Sequence, residues 1–263
     1  MVDLNKDDRP DVFLTSFEYL PGVGYGPLAV LANESPRFVE HTLFAGLEYY
    51  QTTTDPRGTN GFSFQDIDND TDLDVVITGF HGSKLYRNNG EGRFNLIRRF
   101  EGSYYSAAFG DIDNDGDLDL YFAGDTSVYL NNGNGAFRRK VDVGIVGVGM
   151  DARSAVFADM DNDGLLDLLI ASKQGPNTYF RNTGFRKTTN LQRDWLGVSL
   201  TGPNGEKGAL GAQVTLIKGE TVLGYRVVQS STAYCSQDPS RLHFGLGTTK
   251  GTFDVKVNFQ GGI

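Results

Sequence analysis

Cysteine is nearly missing from this sequence: Cys235 is the single one among 263 residues. That excludes an intrachain disulfide and leaves no second thiol for a redox or zinc motif, so Cys235 is expected simply as a half-buried strand residue. Histidine is almost as scarce, and His41, His81 and His243 stand in unrelated contexts with no His-x-x-x-His or Gly-x-Ser-x-Gly nearby. The signatures of a zinc hydrolase or an acyl-transfer nucleophile are therefore lacking, and His243, between Leu242 and Phe244, reads as a packed strand residue. No stretch approaches the roughly 18 apolar residues of a membrane span. The start, Met1-Val2-Asp3-Leu4-Asn5, has neither the basic nor the apolar part of a signal peptide, and membrane insertion is not expected. Positive charge is short and unclustered, 24 Lys and Arg against 33 Asp and Glu for a net −9, which argues against a nucleic-acid partner. Only 8 prolines accompany 34 glycines. With the abundant Asn-Gly and Asp-Gly steps, this points to tight turns between short strands, an all-β chain.

What the sequence has in plenty is one acidic nonapeptide. Asp111-Ile-Asp113-Asn-Asp115-Gly-Asp117-Leu-Asp119 is echoed by Asp66-Ile-Asp68-Asn-Asp70-Thr-Asp72-Leu-Asp74 and by Asp159-Met-Asp161-Asn-Asp163-Gly-Leu165-Leu-Asp167. A looser copy is Asp3-Leu-Asn5-Lys-Asp7-Asp-Arg9-Pro-Asp11. The starts lie 63, 45 and 48 residues apart, a period in the mid-forties with an insertion in the first unit. That period belongs to propeller blades and to some helical solenoids. The runs after the loops decide for strands: Val12–Ser16, Val75–Gly79, Leu120–Gly124 and Leu168–Ser172 are short, β-branched and aromatic. They are apolar at successive positions, so both faces should be covered, as in a sheet stacked between two others. A second strand ending in an Asn-Gly-type hairpin is expected in Lys84–Gly90, Ser127–Gly133 and Thr178–Gly184, and a third at Arg93-Phe94, Ala136-Phe137 and Phe185-Arg186. With the strand before each loop, as in Ser106–Gly110 or Ser154–Ala158, each unit has the four strands of one blade.

Carboxylates at loop positions 1, 3, 5 and 9 repel one another unless a cation holds them, and calcium takes six to eight oxygens. In the third loop Asp111, Asp113, Asp115 and Asp119 are assigned as side-chain ligands and Asp117 through its backbone carbonyl, with Gly116 making the sharp turn. The same positions in the other loops are Asp66, Asp68, Asp70, Asp72 and Asp74; Asp159, Asp161, Asp163, Leu165 and Asp167; and Asp3, Asn5, Asp7, Arg9 and Asp11. The first loop departs most, with Asn5 at position 3, Asp8 where glycine is common and Pro10 at position 8, so its site is the doubtful one of about four. An EF-hand would need Glu at position 12 and flanking helices, whereas Phe122 and Ile77 stand there. The four loops hold more than half of the 33 acidic residues, so four Ca²⁺ would bring the charge of −9 near neutrality.

These loops, with Phe109-Gly110 before one of them, resemble the calcium-binding FG-GAP repeats of integrin α-chains and the bacterial repeats called VCBS. Further on, Trp195–Leu200, Gly208–Gln213, Tyr234-Cys-Ser-Gln237, Leu242-His-Phe-Gly-Leu-Gly247 and Val255–Val257 resemble, in order, the ASPIC/UnbV domain that follows such repeats in cartilage-acidic-protein-like proteins. The resemblance implies an extracellular, periplasmic or lumenal calcium-dependent binding or adhesion protein, usually of about seven blades when complete.

The expected fold is therefore a partial β-propeller of about four FG-GAP-type blades (about 1–54, 55–101, 102–150 and 151–186), a linker at 187–193, and a small β-sandwich or barrel-like domain over 194–263. The expected function is protein–protein assembly, not catalysis, because calcium caged by Asp has few open positions and lowers the pKa of water only weakly. The chain opens inside a loop, without the preceding strand, and an unpaired blade calls for completion by a partner protein, a second copy or upstream residues. Two alternatives stay open: a carbohydrate-binding or adhesion module, and the non-catalytic part of a polysaccharide-acting enzyme. A glycan would meet Tyr104-Tyr105 or the insertion Glu18–Gly26, whose aromatics have core filling and loop decoration as competing roles.

Overall fold

The computed structural model describes residues 2–15, 19–20, 24–25, 29–42, 45–47, 59–149, 151–184, 193–229 and 234–259. In chain order the strands are β1 (Val12–Leu14), β2 (Tyr19–Leu20), β3 (Gly24–Tyr25), β4 (Ala29–Asn33), β5 (Phe38–Glu40), β6 (Thr59–Gln65), β7 (Asp74–Gly79), β8 (Ser83–Asn88), β9 (Phe94–Phe100), β10 (Ala107–Gly110), β11 (Asp119–Phe122), β12 (Val128–Leu130), β13 (Arg138–Lys140), β14 (Ala152–Ala158), β15 (Asp167–Ser172), β16 (Thr178–Phe180), β17 (Asp194–Val198), β18 (Gln213–Lys218), β19 (Thr221–Val227), β20 (Leu242–Gly247) and β21 (Asp254–Asn258). No helix occurs among the described residues.

The acidic loops set the frame of the fold. In each, the residue before position 1 pairs with the Asp at position 9: Gln65 with Asp74, Gly110 with Asp119, Ala158 with Asp167, and Val2 with Asp11 as an isolated bridge. Position 9 thus closes the loop and starts the next strand. Two blades are complete antiparallel meanders, β6-β7-β8-β9 and β10-β11-β12-β13. The fourth shows β14-β15-β16, and the first shows β1-β4-β5 with the hairpin β2-β3 inserted after β1. The C-terminal part is a small sandwich of β17-β20 against β19-β18-β21, filled by Val214, Leu216, Leu242 and Phe244.

Strand alternation assigns each face to one neighbour. Val75 and Ile77 join Leu4 and Phe13 of the first blade, whereas Val76 and Leu85 join Phe109, Leu120 and Phe122 of the third. Tyr121 and Ala123 in turn pack with Leu168 and Ile170 of the fourth. Successive apolar residues therefore arise from covering on both sides, as the strand runs imply.

Three expectations need correction. The Asn-Gly steps do not close two-residue hairpins: five residues separate Asn88 from Phe94 and seven separate Leu130 from Arg138, because the Asn side chains recruit the turn backbone, as when Asn89 Oδ1 accepts from the Glu91 N–H at 3.0 Å. The strand after the turn is consequently displaced, running over β9 and β13, while Phe185-Arg186 lies outside the described residues. Cys235 is exposed in a turn with φ +53°, not packed in a strand. The insertion Glu18–Gly26 and most of the 187–193 segment also fall outside the described side chains.

Candidate metal centres

All four loops share one backbone path. Position 4 is left-handed in each, Lys6, Asn69, Asn114 and Asn162 having φ between 57° and 59°. Position 6 is left-handed as well, at Asp8 (61°), Thr71 (73°), Gly116 (103°) and Gly164 (85°). Glycine takes that conformation without strain, which explains its recurrence there; Thr71, being β-branched, does not.

This path turns the carboxylates inward. Asp111 Oδ1 and Oδ2 accept from the N–H groups of Asp115 (3.0 Å) and Gly116 (2.8 Å), and Asp66 binds Asp70 and Thr71 in the same way at 3.2 and 3.0 Å. Oxygens of positions 1, 3 and 5 converge within 4.8 Å of one another in three loops: Asp66, Asp68 and Asp70; Asp111, Asp113 and Asp115; Asp159, Asp161 and Asp163. In the first loop Asp3 binds the N–H groups of Asp7 and Asp8 alike, but position 3 is the amide Asn5, whose Nδ2 donates to Asp7 at 3.2 Å, so the loop offers one carboxylate fewer at positions 1, 3 and 5.

Position 9 has a different occupation. Asp74, Asp119 and Asp167 each accept one N–H from loop position 2 and one from an asparagine at the end of the blade's third strand: Ile67 and Asn88, Ile112 and Asn131, Met160 and Asn182, all between 2.8 and 3.2 Å. Asp11 does the same with Leu4 and Asn33. Position 7 points elsewhere again. Asp72 and Asp117 lie against Gly90 and Gly133, where an added Cβ would come within 2.8 Å of a carboxylate oxygen, and Leu165 is a buried apolar residue.

The asparagines reveal a contact the sequence reading missed. Asn88 Nδ2 donates to Leu4 O (2.9 Å), Asn131 Nδ2 to Ile67 O (2.7 Å) and Asn182 Nδ2 to Ile112 O (2.8 Å), so each blade is stapled to the loop of the blade before it. Asn33 Nδ2 reaches only Pro10 O at 3.3 Å, within its own blade. The signal was present in Tyr86-Arg-Asn88, Tyr129-Leu-Asn131 and Phe180-Arg-Asn182, an asparagine two residues after an aromatic.

Burial makes the loops electrostatically costly. It pushes Asp74 up to about 8 and Asp66 to about 7. Burial and then the neighbouring Asp115 raise Asp111 to about 7 and Asp113 and Asp117 to about 6; Asp119 is raised well above the carboxylate range by burial and by Asp111. Basic side chains lean on the loops, Arg87 on Asp68 (2.9 Å), Arg193 on Asp113 (2.5 Å) and Arg181 on Asp161 (2.6 Å), but each is partly exposed and screened.

The C-terminal sandwich lies directly on this end of the propeller. Gly247 N–H donates to Asn114 O (2.9 Å), His243 Nε2 meets Asn114 Oδ1 (2.7 Å), and Gln229 Nε2 donates to Phe64 O (2.9 Å). An added Cβ on Gly245 would stand 1.9 Å from Asp111 Oδ2, and one on Gly164 would stand 1.7 Å from Trp195 Nε1. Tyr104 and Tyr105 are half-buried and take part in packing: Tyr104 stacks on Phe122 at 4.7 Å, and Tyr105 lies among Phe80, Tyr234 and Arg153.

The family description FG-GAP-like repeat matches residues 66–122 and 111–170, and ASPIC and UnbV matches 202–263. The chain belongs to the FG-GAP-like repeat proteins with an ASPIC and UnbV domain. No curated protein matches the chain. Among solved structures it aligns with one on the recognition of non-reducing terminal N-acetylglucosamine by an Agrocybe aegerita lectin, at 19% identity over 84% of this chain and 67% of that one; the TM-score of 0.38 carries no argument about fold or ligand. FG-GAP repeats are typical of extracellular proteins, and no described helix is long and apolar enough to cross a membrane. The FG-GAP loops of this chain fit a hard cation. Asp68 Oδ1 and Asp159 Oδ1 are buried acceptors without a hydrogen bond, in triads of oxygen donors compatible with calcium.

Proposed function

We propose that this chain is a non-catalytic, calcium-stabilised module that assembles with other proteins outside the cytoplasm. The observation that carries assembly is the face of the fourth blade. Leu169 and its cross-strand neighbour Tyr179 are 38% and 46% exposed, whereas the equivalent pair in the second blade, Val76 and Leu85, is sealed by the next blade. The first blade offers the complementary back: Phe13 faces the second blade, leaving Val12 half-buried and Leu14 exposed on the other side. Two halves of one joint fit each other head to tail, so the occupant that fits best is a blade of the same build on a second copy of the chain. Sedimentation should show concentration-dependent self-association that Leu169→Glu weakens at least about tenfold, the size of one buried leucine. A chain that stays monomeric at high micromolar concentration would remove the support for assembly through this face.

Calcium is the ion that the loop chemistry favours, with Asp66, Asp68 and Asp70, Asp111, Asp113 and Asp115, and Asp159, Asp161 and Asp163 as its carboxylate ligands. Bound there, the ion neutralises carboxylates that otherwise repel. With a Kd of ~10 μM and ~1 mM free calcium, linkage gives about 2.7 kcal/mol per site. Chelation should therefore lower the melting temperature, and Mg²⁺ should restore it poorly. Equal melting temperatures in EGTA and in calcium would defeat this part of the reading.

A further inference from the structure

Where β6, β10 and β14 run into their loops, the sandwich roofs a cavity of about 340 Å³. That volume falls in the range of small-molecule sites. Its floor includes Asp111, Phe157 and Leu166 of the propeller, and its roof includes Arg226, Pro239 and Arg241. The metal-centre argument uses neither arginine.

Arg226 is the unusual member. It is only 5% exposed, yet among the described residues it has no ion pair, and its five N–H donors make one hydrogen bond, Nη1 to Tyr225 O at 2.9 Å. Its Nε is buried without a partner. A guanidinium removed from water costs several kcal/mol unless an anion and acceptors compensate it. Asp66, Asp111 and Asp117 attract its charge without forming an ion pair with it among the described residues, and all three belong to loops that a cation would neutralise; the guanidinium otherwise lies over the Phe244 ring at 5.2 Å. His243 cannot compete for an anion as a cation: burial, then Arg226 and Arg241, push it down to about 4. Because Asn114 Nδ2 donates to Gly164 O, Asn114 Oδ1 is the acceptor, which fixes the His243 proton on Nε2. Arg241 adds a second positive charge, held over the Trp195 ring at 5.2 Å.

We propose that this cavity binds a small organic acid, with the carboxylate on Arg226 and the body of the molecule against Phe157, Leu166 and Pro239. The proposal rests on the calcium reading only for the sign of the field at Arg226. It adds a ligand to a chain otherwise read as an assembly module.

Trp195 is the sole tryptophan and stacks on His243 at 5.7 Å, so its emission reports on the roof of the cavity. The test is a fluorescence titration of the full chain in calcium with galacturonate, its methyl ester, and cyclohexanecarboxylate. A saturable response to galacturonate alone identifies an acidic sugar, and one to cyclohexanecarboxylate alone an apolar acid; both outcomes support the site, whereas equal binding of galacturonate and its ester overturns it. Arg226→Met should keep the melting temperature or raise it, since a buried charge is replaced by a hydrophobe, and should weaken acid binding by about tenfold or more. Undiminished binding in Arg226→Met overturns the proposal. If that variant fails to fold, the acid-against-ester comparison on the unaltered chain decides. No response to any acid also overturns the site, while the calcium-dependent melting shift, measured on the same samples, reports separately on the metal reading.

Discussion

Substituting Asn131→Ala isolates the joint between blades. The side chain makes two bonds, accepting from Asn132 N–H at 2.9 Å and donating to Ile67 O at 2.7 Å, while its backbone N–H bond to Asp119 survives the change. Ile67 is itself fully buried, so its carbonyl loses a partner in a place water does not reach. An unmet buried acceptor costs about 1–3 kcal/mol, and for a chain of this size each kcal/mol moves the melting temperature by about 2–4 °C. The expected fall is therefore about 2–12 °C, with the middle of that range most representative. Asn33→Ala is the internal control. Asn33 also caps its own turn, accepting from Ser35 N–H at 3.2 Å, but its Nδ2 reaches only Pro10 O at 3.3 Å in the same blade. The difference between the two variants in thermal and urea unfolding measures the staple alone. Asn88→Ala should behave like Asn131→Ala, because its Nδ2 holds Leu4 O at 2.9 Å. If Asn33→Ala destabilises as much as Asn131→Ala, the inter-blade bond is not what these asparagines contribute.

Three further outcomes follow from the same geometry. In metal-free protein the raised Asp66, Asp74 and Asp111 keep protons in the folded state that they lose when unfolded, so their stabilising share is complete below about pH 4 and disappears as pH climbs through about 7 to 8. Melting temperature without metal should accordingly fall between about pH 5.5 and about pH 8.5, and a rise over that range would contradict the burial argument. Thr71→Gly should stabilise by roughly 0.5–1 kcal/mol, because φ is +73° at a β-branched residue; a lower melting temperature would show that the Thr71 contact with Lys6 outweighs the strain. Gly245→Ala should lift the sandwich off the third loop, since the new carbon would lie 1.9 Å from Asp111 Oδ2, and Trp195 emission should shift to the red; unchanged emission would mean that the domain tolerates the methyl group.

The repeat was readable because its chemistry is local. Nine residues of alternating Asp define a loop path, and the Val75, Leu120 and Leu168 runs that follow are strands in the structure. The turns were harder, since Asn89 and Asn131 use side-chain oxygens to widen what their Asn-Gly steps suggest as tight hairpins. Position 9 reads in sequence as one more ligand; what the sequence does not show is that Asp119 also closes its loop, accepting from the backbone N–H groups of Ile112 and Asn131. Arg226 could not have been singled out at all. Its isolation depends on β19 meeting the loops of the second and third blades, a contact between residues more than a hundred positions apart, and no local pattern encodes it.

The glycines at the seam between sandwich and propeller give the loops unequal access to solvent. Asp111 lies beneath Gly245 at the base of the seam, whereas Asp161 and Asp163 are exposed. Of the third loop's ligands Asp111 is sealed and Asp113 and Asp115 are partly open, whereas in the fourth loop Asp161 and Asp163 are both exposed, so an ion on the third loop should leave more slowly than one on the fourth. Two loops of nearly the same sequence would then answer a change in calcium on different clocks: one follows the surroundings, and the other retains a record of them.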